Sequence, residues 1–223
     1  MISVCMPYYN RQEHLDRALA AYREHYDELE INICDDGSDP PVIARGCRVH
    51  HLPGKKCALN PCVPINAAVS MAHQDVIVLT NPEMVHTEPI LGEMQRTLDD
   101  LGPMAYVTAS CQQDGTWLAH STIQGGEAGR GPMPAGAQFH FCAMFHRSLW
   151  DKAGGFDEEY RDGQAFDDND WLWRLEDVGA IFAHRDDLIV QHYHTGTKWP
   201  EGGWVRNRDV LIRKWGHKWS KAA

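Results

Sequence analysis

The sequence predicts an α/β layer fold: one domain with a mostly parallel central sheet flanked by helices. Three observations point there. The first half alternates short apolar runs with segments at helical spacing. The chain has 223 residues, 43% hydrophobic and 23% charged, enough for one sizeable core, with no low-complexity tract or internal repeat. Polar clusters follow three of the predicted strands, as expected where ligands bind beyond the C-terminal ends of a parallel sheet.

Ile2–Met6 is an apolar run that stops at Pro7 and reads as a buried strand. Asn10 can cap the next segment, where Leu15, Ala18, Leu19, Tyr22 and Tyr26 fall at helical spacing. Leu29–Cys34 is a second strand, ended by Asp35-Asp36-Gly37-Ser38, and Arg48–Leu52 is a weaker third. Pro64 opens a helix with Ile65, Ala68, Val69 and Ala72 on one face. A fully apolar strand within Asp75–Thr80 closes at Asn81-Pro82-Glu83; Leu91, Met94, Leu98 and Leu101 mark a helix, and Tyr106–Ser110 is a further strand. Gly125–Gly136, centred on Arg130, is loop-like in composition. The second half holds strand-like Phe139–Phe145, a short helix near Ser148–Ala153 and Gly154-Gly155-Phe156-Asp157. The acids Asp162, Asp167, Asp168 and Asp170 come next, the last three at the start of a helix marked by Trp171, Leu175 and Val178. Leu188–Gln191 is a last strand, running into His192-Tyr193-His194.

Bulk properties narrow the function. The net charge of −10 argues against a general nucleic-acid binder. From Trp204 onward, six basic residues face one acid, Asp209, in a basic amphipathic helix. It either contacts an anionic surface, as in a peripheral membrane contact, or packs its aromatics back on the domain. No window reaches the ~18 apolar residues of a membrane span, and MISVCMPYYN lacks the features of a signal peptide, so a cytoplasmic location is the default expectation. Seven cysteines leave at least one thiol unpaired. Cys57 and Cys62 near His50 and His51 match no standard zinc spacing.

The order of motifs over residues 2–195 resembles the family 2 glycosyltransferases of the A-type fold (GT-A, Rossmann-like). SVCMPYYN resembles that family's first strand and turn, and INICDDGSDP its Asp-Asp-Gly-Ser motif. NPCVPINAAVSMA resembles its Asn-bearing helix, and VIVLTNPEM the strand that ends in a metal-binding Asp-x-Asp. The stretch from Gly154 to Gly179 resembles its Gly-Gly-Phe-Asp-Glu and Glu-Asp-x-Asp-Leu elements, and QHYHTG stands where it has a late metal-binding histidine. Two departures stand out: Asn81-Pro82-Glu83 replaces Asp-x-Asp, and Pro64-Ile65 replaces the basic residue before Asn66.

The resemblance implies a GT-A domain over 1–203, with a nucleotide-binding half to about 110 and an acceptor and catalytic half over 111–203, followed by the helix 204–223. It implies inverting transfer of a sugar from a nucleotide-diphosphate donor, UDP being the commonest, to a glycan, lipid-linked or other hydroxyl acceptor. Asp168 matches the family's base, with Asp167 the alternative; crowding among these acids can raise one of their pKa values. Pro7, Tyr9, Asn10, Asp35 and Asp36 are the nucleobase and ribose candidates, and Asn66 and Asn81 further donor contacts. Mn²⁺ or Mg²⁺ would be held by Glu83 and by His192 or His194, which alternate along an extended segment so that one should face the site. Arg130, Asp170, Trp173 and Lys198 are candidates for acceptor or phosphate contacts, and Lys55 and Lys56 for the missing basic residue. Two other readings stand beside this one: a nucleotide-sugar-binding protein without turnover, and a transferase acting on a modified nucleic-acid base.

Overall fold

The computed structural model describes residues 1–54, 59–118, 121, 133–193 and 202–222, the last four in backbone only. One sheet runs through it. β1 (Ile2–Tyr8) lies parallel to β2 (Leu29–Asp35) and to β4 (Val76–Thr80), and β3 (Arg48–His51) extends the parallel set beyond β2. On the other side of β4 come β8 (Cys142–His146), β6 (Ala105–Gln113), β9 (Ile181–His192) and β5 (Met84–His86), with β7 (Thr116–Trp117) paired to β6.

The sheet is mixed rather than mostly parallel. β8 runs antiparallel to both β4 and β6, and β5 antiparallel to β9, while β6 and β9 are parallel. The cause is connectivity. The chain enters β8 at Cys142, which pairs with Thr80 at the C-terminal end of β4, so β8 runs back against its neighbours. Apolar alternation marks a strand but carries no information on its direction.

Alternation does decide the two cores. Val4, Met6, Val78, Val107 and Met144 face one side of the sheet, where α1 (Gln12–His25) brings Leu15, Leu19 and Tyr22 and α3 (Leu91–Leu101) brings Met94 and Leu98. Cys5, Ile77, Leu79, Tyr106 and Phe145 face the other. There α2 (Cys62–Ser70), α4 (Arg147–Ala153) and α5 (Asp167–Asp177) cover them with Ile65, Val69, Leu149, Trp150, Trp171 and Leu175. Trp171 is fully buried; Phe156 stacks on it at 5.1 Å and Trp150 lies tilted at 5.0 Å.

Several elements differ from expectation. β9 starts at Ile181, not Leu188, because its polar stretch is satisfied internally. His184 contacts Thr108 and Asp186, and Arg185 pairs with Asp187. The register with β6 shifts between Ala109 and Ser110 to absorb that stretch. Phe139–Phe141 is loop, and the strand begins at Cys142. A 3-10 helix, Glu158–Asp162, precedes α5.

α6 (Gly203–Ala222) buries Val210, Leu211 and Trp215 against Tyr160 and Trp173. Its cations pair with the domain's own acids: Arg213 with Glu159, Lys214 with Asp157 and Asp170, and Lys218 with Glu176 and Asp177. Trp204, at the start of the helix, is 46% exposed. Cys5, Cys34, Cys62, Cys111 and Cys142 are buried free thiols; Cys57 lies outside the described residues. Among the described residues no helix is long and apolar enough to cross a membrane.

Trp171→Ala would empty the centre of the second core. It should cost about 3–5 kcal/mol, read as a lower urea midpoint with an unchanged slope; a cost under about 1 kcal/mol would contradict this packing.

Candidate active site

Tyr8 pairs with Asp35 in the parallel register, so the loops after β1 and β2 leave the sheet side by side. Asn10 ties them: its N–H donates to Ser38 Oγ (2.9 Å) and its Oδ1 accepts from the Asp39 N–H (3.0 Å), with Asn10 itself at φ +48°. Asp35 organises the turn. Its carboxylate accepts from the N–H groups of Ser38 and Val42 (both 3.0 Å) and contacts His51 Nδ1 at 3.1 Å. Burial pushes its carboxyl up, but the bonds from Ser38, Val42 and His51 outweigh it and hold the group below the usual carboxylate range. Pro7 and Asp36 are buried at the same edge, the Asp36 N–H bonded to the Tyr8 carbonyl (2.9 Å), and Tyr9 is 37% exposed. Of the five nucleobase candidates, Tyr9 is thus the open face, while Asp35 and Asn10 build the turn.

β4 ends at Thr80, next to Asn81, and Glu83 follows in a turn closed by the Met84 N–H on the Asn81 carbonyl (3.1 Å). Met84 pairs with His192 across β5 and β9, which sets Glu83 beside that histidine: Nε2 lies 3.9 Å from Oε1. His192 Nδ1 is 2.9 Å from Gln113 Oε1; donation to that oxygen would leave Nε2 as the nitrogen facing Glu83. Arg11 Nη1 lies 3.6 Å from the same Glu83 oxygen. Burial works to raise the Glu83 carboxyl, but His192 and Arg11 together hold it below its ordinary value. A carboxylate and an imidazole this close could supply two of the ligands a divalent ion such as Mn²⁺ or Mg²⁺ needs. Among the described residues no group of three or more His, Cys, Asp or Glu could hold a metal by itself, and His194 lies outside them.

The acids opening α5 diverge. Asp167 is 4% exposed and accepts a 2.7 Å bond from Asn60 Nδ2; burial and the neighbouring Asp168 push its carboxyl up to about 7. The Asp168 side chain keeps 34% of its surface open, yet withdrawal from water on its protein side pushes it too up to about 7. Its Oδ1 lies 3.3 Å from His140 Nε2. Burial lowers His140 to about 4, so it is neutral at physiological pH, and it packs edge-on against Phe156. Asp170 is fully buried and contacts Arg174 (2.7 Å), Trp215 Nε1 (2.8 Å), Lys214 (2.9 Å) and Tyr160 (3.3 Å).

One loop joins these clusters. His140 touches Asp168, and the adjoining Phe141 packs on His192 at 5.9 Å while its carbonyl accepts from Thr80 Oγ1 (2.9 Å). Consecutive residues carry the contacts to the open carboxylate and to the candidate metal pair.

Three sequence candidates are engaged by the protein's own groups. Asn66 clamps the Gly155–Phe156 turn: its Nδ2 donates to the Phe156 carbonyl and its Oδ1 accepts the Phe156 N–H, both at 2.9 Å. Trp173, expected toward an acceptor, is 3% exposed and packs on Trp215. Asp170, expected toward acceptor or phosphate, is wholly occupied by its four partners. Lys55, Lys56, Arg130 and Lys198 lie outside the described residues. The sequence reading missed Arg11, Asn60 and His140. Nothing local flagged His140, because a lone histidine in an apolar run reads as core.

The family model described as "Glycosyl transferase family 2" matches residues 3–154, a stretch that ends before Asp167, Asp168 and His192. No curated protein matches the chain. S. aureus TarS, residues 1–349, is similar over 86% of this chain and 60% of its own, at 13% identity and a TM-score of 0.66. The mannosyltransferase PcManGT from Pyrobaculum calidifontis, solved in complex with GDP-Man and Mn²⁺, is similar over 97% of this chain and 63% of its own, at 15% identity and a TM-score of 0.63. The chain therefore spans about three fifths of the length of these structures, and at such identities the likeness shows the fold.

The raised pair makes a pH prediction. A carboxyl held near 7 in the folded chain and near 3.8 when unfolded keeps its proton in the folded state between those values. Its contribution to stability therefore falls as pH rises from about 4 to 7, then levels off. His140, lowered to about 4, acts in the opposite sense up to its unfolded value of 6.5. Asp167→Asn keeps an oxygen for Asn60 and removes one acid. Its melting temperature relative to wild type should rise from pH 4 to about pH 7 and then level off; a difference independent of pH would rule out the raised carboxyl.

Proposed function

Because the chain belongs to glycosyl transferase family 2, we propose that it transfers a sugar, with inversion, from a nucleotide-diphosphate donor to an acceptor hydroxyl, with Asp168 as general base. The observation that carries this is the His140–Phe141 loop. It sets an open carboxylate with a raised pKa one residue step from a carboxylate–imidazole pair suited to a diphosphate.

The donor's base packs at the ends of β1 and β2, against Tyr9 and Asp36, on a floor that Asp35 and Asn10 keep rigid. UDP is the favoured nucleotide. Asn81 hydrogen-bonds a ribose or sugar hydroxyl. The diphosphate lies toward Glu83, His192 and Arg11. A divalent ion there, Mn²⁺ or Mg²⁺, held by Glu83 and His192, would neutralise the charge that develops on the departing diphosphate. The bound Mn²⁺ and GDP-Man of PcManGT support such a site in this fold.

Asp168 accepts the proton of the acceptor hydroxyl as that oxygen bonds the anomeric carbon from the face opposite the diphosphate. The carbon–oxygen bond to the diphosphate breaks, and its electron pair leaves with the nucleotide. One displacement inverts the centre. His140 Nε2, 3.3 Å from Asp168 Oδ1, is placed to orient the carboxylate. The acceptor is a glycan, a lipid-linked sugar or another hydroxyl. The α6 cations that pair with the domain's own acids lend no support to a membrane or nucleic-acid partner.

One observation favours a second reading, a nucleotide-sugar-binding protein without turnover. Glu83 already has Arg11 as a counter-charge, and Asn81 stands where the resemblance places an aspartate. A thermal-shift screen of nucleoside diphosphates and nucleotide-sugars, with and without Mn²⁺, followed by transfer assays on the hits, separates the two. The transfer reading expects Mn²⁺-dependent stabilisation and turnover. Binding indifferent to EDTA, with no turnover from any donor, would select the second.

Asp168→Asn should lower kcat by about 10²–10⁴ while donor affinity stays within about twofold. Wild-type kcat should rise with pH through an apparent value near 7, as Asp168 loses its proton. A variant within threefold of wild type would remove Asp168 from the mechanism.

Glu83→Gln keeps the size of the side chain but removes the charge. It should raise the Mn²⁺ concentration for half-maximal activity at least about tenfold; an unchanged Mn²⁺ dependence would place any metal elsewhere.

A further inference from the structure

The two residues before the acid pair, Ala165 (φ +58°) and Phe166 (φ +66°), are both in the left-handed region. Residues with a side chain rarely adopt it, and two in succession need outside support. This segment starts α5: the Phe166 carbonyl accepts the Asp170 N–H at 3.1 Å, and Asp167 and Asp168 are the first two helical residues.

The support comes from the C-terminal helix. Asn207 is fully buried, and its Nδ2 donates to the carbonyls of Ala165 (3.0 Å) and Tyr160 (2.9 Å), at either end of the segment. The approach is close enough to require glycine: a Cβ on Gly163 would fall 2.2 Å from Asn207 Oδ1. At the other end of the same contact, the Gln164 N–H donates to the Gly203 carbonyl (3.0 Å), and a Cβ on Gly203 would fall 2.6 Å from the Gln164 side chain. Both glycines lie where α6 and the segment meet backbone to side chain.

We propose that Asn207 is a positioning residue for the base: from α6 it holds the left-handed Ala165–Phe166 step that aims Asp167 and Asp168 into the site. The proposal rests on the reading of Asp168 as the base. On it, α6 acts on the site through one neutral amide, Asn207, and not through its cations, which hold the helix to the domain.

The test compares Asn207→Ala, Asn207→Ala with Ala165→Gly, and Lys218→Ala. The last loosens the same helix at Glu176 and Asp177, away from the segment. Three readouts are taken: melting temperature, kcat against donor KM, and the carbon-13 NMR titration of the Asp167 and Asp168 carboxyls. Asn207→Ala should lower kcat about tenfold to a hundredfold, the scale of a misplaced catalytic group, with donor KM within about twofold. It should also displace the carboxyl titrations. Glycine adopts positive φ without strain, so Ala165→Gly should restore part of the lost kcat and return the titrations toward wild type. Lys218→Ala should lower the melting temperature and leave kcat and the titrations alone. A folded Asn207→Ala with wild-type kcat and titrations overturns the proposal, as does an equal loss in Lys218→Ala or no recovery with glycine. If the wild type turns over no donor while the titrations still move in Asn207→Ala and return with glycine, the transfer reading fails and the positioning stands.

Discussion

Asp170 is the charge the second half of the chain is built around. A fully buried carboxylate is costly unless it is neutralised and every lone pair is met. Arg174, one turn on along α5, supplies one cation, and Lys214 and Trp215 come from α6 across the sequence. α5 can therefore bury its first turn only with α6 docked. That docking brings Asn207 to the segment ahead of the turn and Trp215 against Trp173, so the helix, the loop before it and the acids at its start assemble together.

Four positions of α5 thus hold three aspartates with three environments. Asp170 is met by two cations, Arg174 and Lys214. Asp167 is buried against the neutral amide of Asn60, and burial and the neighbouring Asp168 push it toward its protonated form. Asp168 alone keeps an open side chain, beside a neutral imidazole. The α5 N-terminus favours negative charge at all three. The difference comes from what packs on each: α6, the loop before α2, and the loop before β8. On the proposed function, proton acceptance and structural anchoring, which conflict within one carboxylate, are separated over neighbouring residues.

Local chemistry made much of this legible in advance. The strands and helices on which alternation or helical spacing is clean appear where the sequence puts them, and the parallel register carries three polar strand ends to one edge. What stayed hidden depends on contacts between distant segments. The reversal of β8 follows from where the chain re-enters the sheet. β9 could not be read past Arg185-Asp186-Asp187, because polar residues look like loop until Thr108 and Ser110 are seen to bond the neighbouring His184. The resemblance named Asn66 by motif position, and Trp173 stood as an acceptor candidate; the fold commits the first to a glycine turn and the second to α6. His140, Asn60 and Asn207 matter through partners on other elements, so no local pattern marks them.

The loop before β8 constrains how such a protein can change. Its residues 140 and 141 carry the neighbours of the open acid and of the Glu83–His192 pair, with a backbone bond to Thr80 fixing the step between them. A substitution at Phe141 would disturb its contact with His192 and, through the shared backbone, the imidazole beside Asp168. On the proposed function, handling of the donor and acceptance of the proton are therefore linked at this point and must drift together. Variation that alters one without the other has to enter elsewhere, through the loops after β1 and β2, where Tyr9 faces outward over a turn that Asp35 keeps in place.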